Sequence, residues 1–313
     1  MASLAGRGAL VAGLGIFDQG YYDQLGFGIL GYEHFVAIDP ARLKIPIKAR
    51  VPRRLSAADL PAIHASRLRR RLYHGACSGF PAAHTQSALL SGQNGFGLGY
   101  FDGPAGELTH HLWARAENVV CGPYRIAWLA YQNRQQFLEL MALLQGWNDQ
   151  VFQIILTEPP DVQLQDLIRQ PLRQRRMSDK SSFEMSIHAN AIYQMRICDL
   201  AGCLAHTHLR GESTRFNLAL SDPIERYLDA DAPWRGVAGH YVVTLGASSE
   251  ARPGCDPQLP TLEATVGAFT RLWLGARSAT SLAMTDTLVG PDALLEQLDQ
   301  ILCLPTPKPN WNL

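Results

Sequence analysis

The stretch Phe17-Asp-Gln-Gly-Tyr-Tyr22-Asp-Gln-Leu-Gly-Phe-Gly28, with Gly31-Tyr-Glu-His-Phe-Val36 after it, combines tyrosines, a leucine and closely spaced glycines. Its tyrosines and Leu25 predict a short helical piece that ends at Gly26, because glycine adopts the left-handed conformation without strain. The apolar residues that follow predict a strand over residues 32–38. The chain is therefore expected to pass from a helical turn into a strand here.

The residues before this stretch predict another strand. Positions 8–17 are uncharged and apolar without alternation, which is typical of a strand buried on both faces. Such a strand needs a neighbour on each side, and a chain seldom begins with one. We therefore expect that the chain starts at an internal position or in a truncated frame. A secretion signal is disfavoured, because the apolar run is short and continues directly into polar residues.

Composition excludes several classes of protein. The 313 residues carry 28 basic and 28 acidic side chains, so no global field favours nucleic acid or an anionic membrane surface. The hydrophobic share of 47% is too high for a disordered chain, and no stretch has the ~20 apolar residues of a membrane-spanning helix. Six scattered cysteines without a C-x-x-C pair indicate reduced thiols and a cytoplasmic protein.

The middle of the chain predicts an α+β unit that follows a proline-rich connector at residues 41–54. A Ser-x-x-acid start predicts a helix over residues 60–72. Residues 133–146 form the clearest helical pattern, with one apolar face. Strands are predicted over residues 95–101, 108–114, 124–129 and 151–156.

The last third predicts a second α+β unit. Two closing helices are expected, the second beginning with a proline at residue 291 and carrying a leucine stripe. Alternating prolines then stiffen a tail that ends in Trp311-Asn-Leu313. A helical turn is predicted over residues 199–205, and strands over residues 192–198, 216–220, 240–245 and 262–266.

Two motifs that would bring a cofactor or a metal are weak in this context. A G-x-G-x-x-G match spans residues 26–31, but the dinucleotide fingerprint needs a strand before it and a helix within it. Here the order is reversed, so we interpret the glycines as a loop that reverses the chain. The second motif has zinc-ligand chemistry at a spacing that matches no standard site. It consists of Cys198, Cys203, His206 and His208.

Two basic clusters, at residues 67–71 and 169–176, could attract an acidic partner. Nucleic-acid binders usually interleave aromatic residues for stacking or carry a strongly basic domain, and neither holds here. We therefore predict solvated helix faces for these arginines. A serine nucleophile is also disfavoured, since the sequence has no G-x-S-x-G elbow.

Both ends of the chain resemble one known family. The N-terminal stretch, continued by Asp39-Pro-Ala-Arg-Leu43, resembles the end of the first GNAT acetyltransferase domain of the enhanced intracellular survival proteins. Thr270-Arg-Leu-Trp-Leu-Gly275-Ala-Arg-Ser-Ala-Thr-Ser-Leu-Ala283 resembles their C-terminal sterol-carrier-like domain. The order of elements between the two is similar to the second, non-catalytic GNAT domain of that family.

The resemblance implies an α+β fold in three parts. Residues 1–47 would be the C-terminal remnant of the first GNAT domain with its linker. Residues 48–205 would form the second GNAT-like domain, a mixed sheet with flanking helices. Residues 206–313 would form the sterol-carrier-protein-like α+β domain.

The resemblance also implies an activity, the transfer of acetyl from acetyl-CoA to a small-molecule or lysine amine without a metal. Tyr22 matches the family tyrosine that donates a proton to the departing CoA thiolate. Leu313 matches the C-terminal residue whose α-carboxylate acts as general base. A homo-oligomer is expected as well, because the family tends to assemble, and neither a membrane nor a nucleic acid is expected as partner.

The sequence departs from the family at the GNAT pyrophosphate loop, an Arg/Gln-x-x-Gly-x-Gly/Ala segment that should precede residues 8–17. Without it we expect a chain that is truncated or a homologue without catalysis, inactive as given. A non-catalytic small-ligand or lipid-binding scaffold built on the sterol-carrier-like part is the alternative. Anion binding by the arginine clusters is a weaker third hypothesis.

Overall fold

The computed structural model describes residues 1–15, 19–171 and 183–310 and has a mixed α+β fold. Contacts divide the chain into two compact units. One combines Met1–Tyr32 with Ala191–Lys308, and the other combines Glu33–Asn190 with the residues from Pro309 onward. All six cysteines are free thiols. Among the helices of the described residues, none has the length and apolar character needed to cross a bilayer.

The strands are β1 (Val11–Gly15), β2 (Gly28–Ile29), β3 (Glu33–Ile38), β4 (Arg53–Leu55), β5 (Gly95–Tyr100), β6 (His110–Ala116), β7 (Tyr124–Ala130), β8 (Ile154–Thr157), β9 (Ser186–Asn190), β10 (Tyr193–Ile197), β11 (Thr214–Ser221), β12 (Gly239–Leu245), β13 (Glu250–Pro253), β14 (Thr261–Thr265) and β15 (Leu288–Val289). The α-helices are α1 (Ala2–Ala5), α2 (Gln19–Tyr22), α3 (Leu60–Leu68), α4 (Ala82–Leu90), α5 (Arg134–Gln145), α6 (Leu200–Ala205), α7 (Val266–Trp273), α8 (Ala279–Thr285) and α9 (Asp292–Ile301).

A seven-stranded sheet, in the order β4-β5-β6-β7-β8-β3-β9, forms the centre of one unit. Its neighbouring strands are antiparallel except for β7 and β8, which are parallel. Successive side chains of a strand point to opposite faces, so β6 contributes to two cores. Leu112 packs with the apolar face of α5, whereas Trp113 packs with residues of α3 and α4. The sheet therefore lies between these helices.

The other unit contains two sheets. Five strands in the order β13-β12-β11-β14-β15 cover a core that α7, α8 and α9 complete. The predicted leucine stripe of the last helix is confirmed, because Leu294, Leu295 and Leu298 are buried in this core. A three-stranded antiparallel sheet, β1-β10-β2, brings the N-terminal residues to the same unit.

The expectation of a first strand buried on both faces is wrong. In the described residues β1 pairs with β10 alone and lies at the edge of its sheet, and Val11 is 39% exposed. The central strand is β10, whose five residues are all buried. An edge strand is covered less completely than a central one. The small and apolar residues of β1 therefore alternate between exposed and less exposed positions.

Several other predictions need their bounds corrected. The helix expected over residues 60–72 ends at Leu68, although its predicted capping box is present. Three helices rather than two close the chain, and Pro291 precedes α9 instead of opening it. The division into three domains stays a prediction. Strand β3, which that division placed in the first domain, hydrogen-bonds to β8 and β9 in the seven-stranded sheet.

The glycines of the N-terminal stretch permit close packing, which explains their spacing without a dinucleotide. Gly26 has φ +79°, the left-handed value expected at the end of a helical turn. A Cβ on Gly28 would come within 2.3 Å of the carbonyl oxygen of Gly267 in α7. The backbone of β2 therefore lies in direct contact with the backbone of α7.

We expect Gly28→Ala to lower the free energy of unfolding by about 1–3 kcal/mol, because no rotamer relieves a clash with a backbone carbonyl. Urea unfolding measures the change. Gly79→Ala is the matched control, since a Cβ there meets nothing within 4 Å. Equal stability of the Gly28→Ala variant and the original chain would show that the two elements are not in close contact.

Candidate functional site

Tyr22, the catalytic residue implied by the resemblance, is the last residue of α2 and is half-buried. Its ring makes edge-to-face contacts with Tyr21, at 5.1 Å between centroids, and with Phe27, at 5.9 Å. Phe27 is buried, whereas Tyr21 is exposed. The phenol ring of Tyr22 therefore lies between the core and the surface.

The backbone after Tyr22 forms a tight turn. Asp23–Leu25 is a single 3₁₀ turn, and Gly26 closes it in the left-handed conformation. The amide of Gly26 donates to the carbonyl of Asp23 at 2.8 Å, and the amide of Phe27 donates to the carbonyl of Tyr22 at 3.1 Å. These bonds satisfy the carbonyls at the end of a helical turn and fix the direction of the chain.

A buried arginine holds this turn in place. Arg196 on β10 has no exposed side-chain surface, and its Nη1 donates to the carbonyl of Leu25. Its Nη2 donates to Oδ2 of Asp222 at 2.5 Å. Trp234 covers the guanidinium at 5.0 Å. No motif in the sequence singles out this arginine, although a charged residue within a predicted strand is a usable signal.

Asp222 is fully engaged by the same network. Its Oδ1 accepts the amide of Ile224 at 3.1 Å, and its Oδ2 also accepts the amide of Val237 at 3.0 Å. A buried carboxylate is tolerated when a cation and several donors satisfy its oxygens. Arg196 and Asp222 thus join three segments of one unit: β10, the turn after Tyr22 and the loop after β11.

Leu313, the second residue implied by the resemblance, lies outside the described residues, as does Trp311. The described part of the tail is in neither helix nor strand from residue 303 to residue 310. The carbonyl of Pro309 accepts the amide of Cys77 at 2.9 Å, and the carbonyl of Asn310 accepts Nη2 of Arg70 at 3.0 Å. The role of the Leu313 carboxylate stays a prediction.

The prediction of a solvated basic face at residues 67–71 is wrong for two of its arginines, and residues 172–176 of the second basic cluster lie outside the described residues. Arg67 and Arg70 are only 4% and 8% exposed. The guanidinium of Arg67 lies over the Trp128 and Phe80 rings, and Arg70 donates to backbone carbonyls. Aromatic faces and carbonyls can accept a buried guanidinium, which explains why these cations leave the solvent.

A buried histidine lies beside this basic cluster. Nδ1 of His111 is 3.0 Å from the hydroxyl of Ser66, and its Nε2 accepts the indole N–H of Trp128 at 3.0 Å. Burial, together with the positive charge of Arg67, lowers the pKa of His111 to about 3. The ring is therefore neutral in the folded protein at any physiological pH.

Because its pKa is lowered in the folded state, His111 makes the free energy of unfolding decrease as the pH falls. Below pH ~6.5 the unfolded chain binds a proton at His111 that the folded chain excludes, so folding weakens by ~1.4 kcal/mol per pH unit from this group. We expect His111→Gln to reduce the pH dependence of the unfolding free energy between pH 6 and 4.5 by about that slope, measured by urea titrations.

His188→Gln, a change at an exposed histidine, is the control. Buried or partly buried histidines that both variants retain, namely His64, His84 and His110, leave the difference unaffected. An unchanged slope in His111→Gln would mean that His111 takes up its proton in the folded state.

One set of potential metal ligands is present in the described residues: Asp102, His110 and Glu139, whose ligand atoms lie within 4.8 Å of one another. Arg50 donates to both carboxylates, at 2.7 Å to Glu139 and at 2.7 Å to Asp102. Hydrogen bonds from Arg50 lower the pKa of both carboxyl groups, and burial lowers the pKa of His110. The arrangement is an ion-pair network centred on Arg50.

Cys203 and His208, two of the residues considered as zinc ligands, make hydrogen bonds to backbone carbonyls. Cys203 is buried with its thiol on the carbonyl of Leu10, and burial raises its pKa to about 12. Burial also raises the pKa of Cys198. Nδ1 of His208 lies 3.0 Å from the carbonyl of Ala247. Protonated, separately bonded thiols are poor metal ligands.

Helix α5 follows β7 in the strand–loop–helix order that pyrophosphate sites use. Its N-terminus is capped by its own side chains: Oδ1 of Asn133 accepts the amide of Gln136 at 3.0 Å, and Oε1 of Gln136 accepts the amide of Gln132 at 2.8 Å. These amides are engaged, and the loop has no glycine to let a phosphate approach. This helix start is therefore not built for a pyrophosphate.

No protein-family model matches the chain, and no curated protein matches it in sequence. Solved structures share its fold. A protein from Enterococcus faecalis V583 described as a probable N-acyltransferase is 20% identical, with a TM-score of 0.74 over 97% of this chain and 73% of that chain.

Two further structures are similar to the same extent. A GCN5-related N-acetyltransferase from Anabaena variabilis ATCC 29413 is 14% identical, with a TM-score of 0.72 over 97% of this chain and 73% of that chain. Eis1 from Mycobacterium abscessus is 17% identical, with a TM-score of 0.73 over 99% of this chain and 76% of that chain. The chain thus has the fold of GCN5-related N-acetyltransferases.

Proposed function

We propose that this protein belongs to an acetyl-CoA-dependent N-acetyltransferase lineage whose reaction is acetyl transfer to a small-molecule or lysine amine. The proposal rests on Tyr22, for which the family resemblance implies the role of proton donor and which precedes a turn that Arg196 hydrogen-bonds. The fold that the chain shares with structures described as N-acetyltransferases supports it.

Acetyl transfer needs a proton for the leaving group. The departing CoA thiolate has a conjugate-acid pKa near 8.5, and a phenol is ordinarily near 10. Transfer from the Tyr22 hydroxyl is therefore mildly uphill, the direction that a well-aligned general acid manages. The contacts of the ring with Phe27 and Tyr21 restrict where the hydroxyl can point.

The amine must lose a proton before it attacks, and the proposed base is the α-carboxylate of Leu313. A lysine-like amine has a pKa near 10.4 and a terminal carboxyl near 3.5, so the base is too weak by roughly 9 kcal/mol in water. Burial of the carboxylate or a relay through water would reduce that difference. In the described part of the tail, the carbonyls of Pro309 and Asn310 accept hydrogen bonds from Cys77 and Arg70.

Other parts of the proposal follow the resemblance. Residues 1–47 and 48–205 would correspond to the two GNAT domains, and residues 206–313 would be the sterol-carrier-like domain. A cytoplasmic homo-oligomer that uses acetyl-CoA without a metal is expected. The ligand-carrier alternative has less support, because buried side chains such as Phe216, Leu218 and Phe269 fill the space under the five-stranded sheet.

Calorimetry with acetyl-CoA tests the proposal first, on the chain 1–313 and on the product of the same gene extended upstream of Met1. Saturable binding to either chain supports it. The absence of binding to both would contradict it.

In the chain that binds acetyl-CoA, we expect Tyr22→Phe to lower kcat by about 10²–10⁴-fold with KM for acetyl-CoA nearly unchanged, because general acid catalysis is lost. Release of free CoA thiol over a panel of primary amines measures the rate. Removal of Leu313 leaves the terminal α-carboxylate on Asn312, one residue earlier, so in the same assay it should lower kcat because the proposed base is displaced from the amine.

Tyr21→Phe is the matched control, an adjacent tyrosine that is exposed. It should retain the original rate. If Tyr21→Phe and Tyr22→Phe had the same kinetics, Tyr22 would be a packing residue and the proton would come from elsewhere.

A further inference from the structure

A cavity of about 670 Å³ lies in the unit of the seven-stranded sheet, between α4 and strands β6, β7 and β8. Its position follows from the pairing of the two parallel strands. Strand β7 pairs with β8 over three residues, up to Ile126 opposite Leu156, whereas its pairing with β6 continues to Ala130. The sheet opens beyond Ile126. A cavity of this volume suits a small organic molecule.

The polar groups of the cavity are positive or neutral. Arg115, Arg125 and His84 line it, and no carboxylate is among the lining residues. Arg125 is paired with Glu117. Arg115 instead donates to the carbonyl of Ala88 and to a serine hydroxyl, both neutral acceptors. Within the described residues, Arg115 is therefore a cation without a counter-charge.

A second cation lies behind the cavity wall. Arg67 is buried, with its guanidinium 4.3 Å from the ring of Trp128, a lining residue. It donates to the hydroxyl of Thr85 at 3.1 Å, and no ion pair forms on it in the part of the chain described. Two uncompensated cations on one side raise the local positive potential, which favours an anion.

Two polar atoms of the wall lack a hydrogen-bond partner among the described residues. They are Nε of Arg115 and Nδ1 of His84, both buried. Buried polar atoms are nearly always bonded, so each such atom calls for a physical reason. Both residues line the cavity, and the Nε–H of Arg115 is a donor that an anion would accept after a small side-chain adjustment.

Most of the apolar lining is aliphatic. Ile126, Ile155 and Leu156 lie where the two strands separate, and Phe35 adds one aromatic side chain. Trp128 does not offer a free face, because Trp113 stacks on it at 5.8 Å and Arg67 lies over its ring. A flexible alkyl chain fits these aliphatic side chains.

We propose that this cavity binds a medium-chain alkyl carboxylate, with its carboxylate at Arg115 and its chain along the aliphatic side chains where β7 and β8 separate. The proposal is independent of Tyr22 and Leu313 and goes beyond the acetyl transfer proposed above. It assigns a ligand to the unit of the seven-stranded sheet.

Calorimetry on the full chain with hexanoate, octanoate and octylammonium tests it. Burial of each methylene should raise affinity about fourfold, so octanoate should bind about 16-fold more tightly than hexanoate. Octylammonium has the same chain with the opposite charge and should not bind. Equal binding of both octyl compounds, or no saturable binding of octanoate, would overturn the proposal.

Arg115→Met keeps an unbranched apolar side chain and removes the guanidinium, and we expect it to weaken octanoate binding at least tenfold. Arg134→Met removes an exposed arginine on α5 and should leave affinity unchanged. Ser87→Trp, at the exposed side of α4, should fill the cavity and abolish binding even if Arg115→Met fails to fold. Octanoate affinity that survives Ser87→Trp in a folded chain would exclude this cavity.

A competition with CoA separates this site from the transferase donor site. Octanoate binding should be unaffected by saturating CoA. Displacement of octanoate by CoA would overturn the proposal of a separate site.

Discussion

The buried ion pair of Arg196 and Asp222 is the interaction on which the candidate active site depends. Removing two charges from water costs several kcal/mol per ion, so such a pair persists only when its remaining donors and acceptors are satisfied. Here the amides of Ile224 and Val237 satisfy the carboxylate, and the carbonyl of Leu25 accepts from the guanidinium. Because the guanidinium also bonds to the carbonyl of Leu25, the ion pair is fully hydrogen-bonded only when the turn after Tyr22 is in this position.

Close backbone packing complements this electrostatic restraint. A Cβ on Gly26 would lie 2.6 Å from Val266 and 2.9 Å from the Arg196 guanidinium, so the turn, α7 and the ion pair exclude any larger residue. Strand β2 meets α7 through Gly28 in the same way. The two glycines allow the turn and β2 to approach α7 closely, and the guanidinium of Arg196 packs against the turn and hydrogen-bonds to it. A phenol carried by such a turn has little freedom to move.

Local sequence patterns predicted much of the fold, but they predicted few of the contacts that hold the turn after Tyr22. The α5 helix follows from its 3.6-residue apolar period and its Asn133 cap, and the α9 stripe follows likewise. The short N-terminal turn follows from a glycine that stops a helix. These features depend on neighbours in sequence, which periodicity and capping rules describe.

The predictions that were wrong, and the contacts that were not predicted, depend on residues far apart in the sequence. The burial of β1 depended on which strand takes the centre of its sheet, and the burial of Arg67 depended on the distant ring of Trp128. The partner of Arg196 is 26 residues away and precedes a proline, a spacing that no local rule connects. The cavity arises where two strands separate, and periodicity cannot indicate strand separation. The family resemblance therefore points to Tyr22, but no local pattern predicts the contacts that hold its turn.

Native-state hydrogen exchange at the amides of Gly26 and Phe27 tests the central claim most directly, that the ion pair fixes the Tyr22 turn. Both amides donate within the turn, so they should exchange far more slowly than free peptide amides. Asp222→Asn should accelerate them while the amides of β6, in the other unit, keep their rates. Free-peptide exchange in the original chain, or unchanged exchange in Asp222→Asn, would contradict the account.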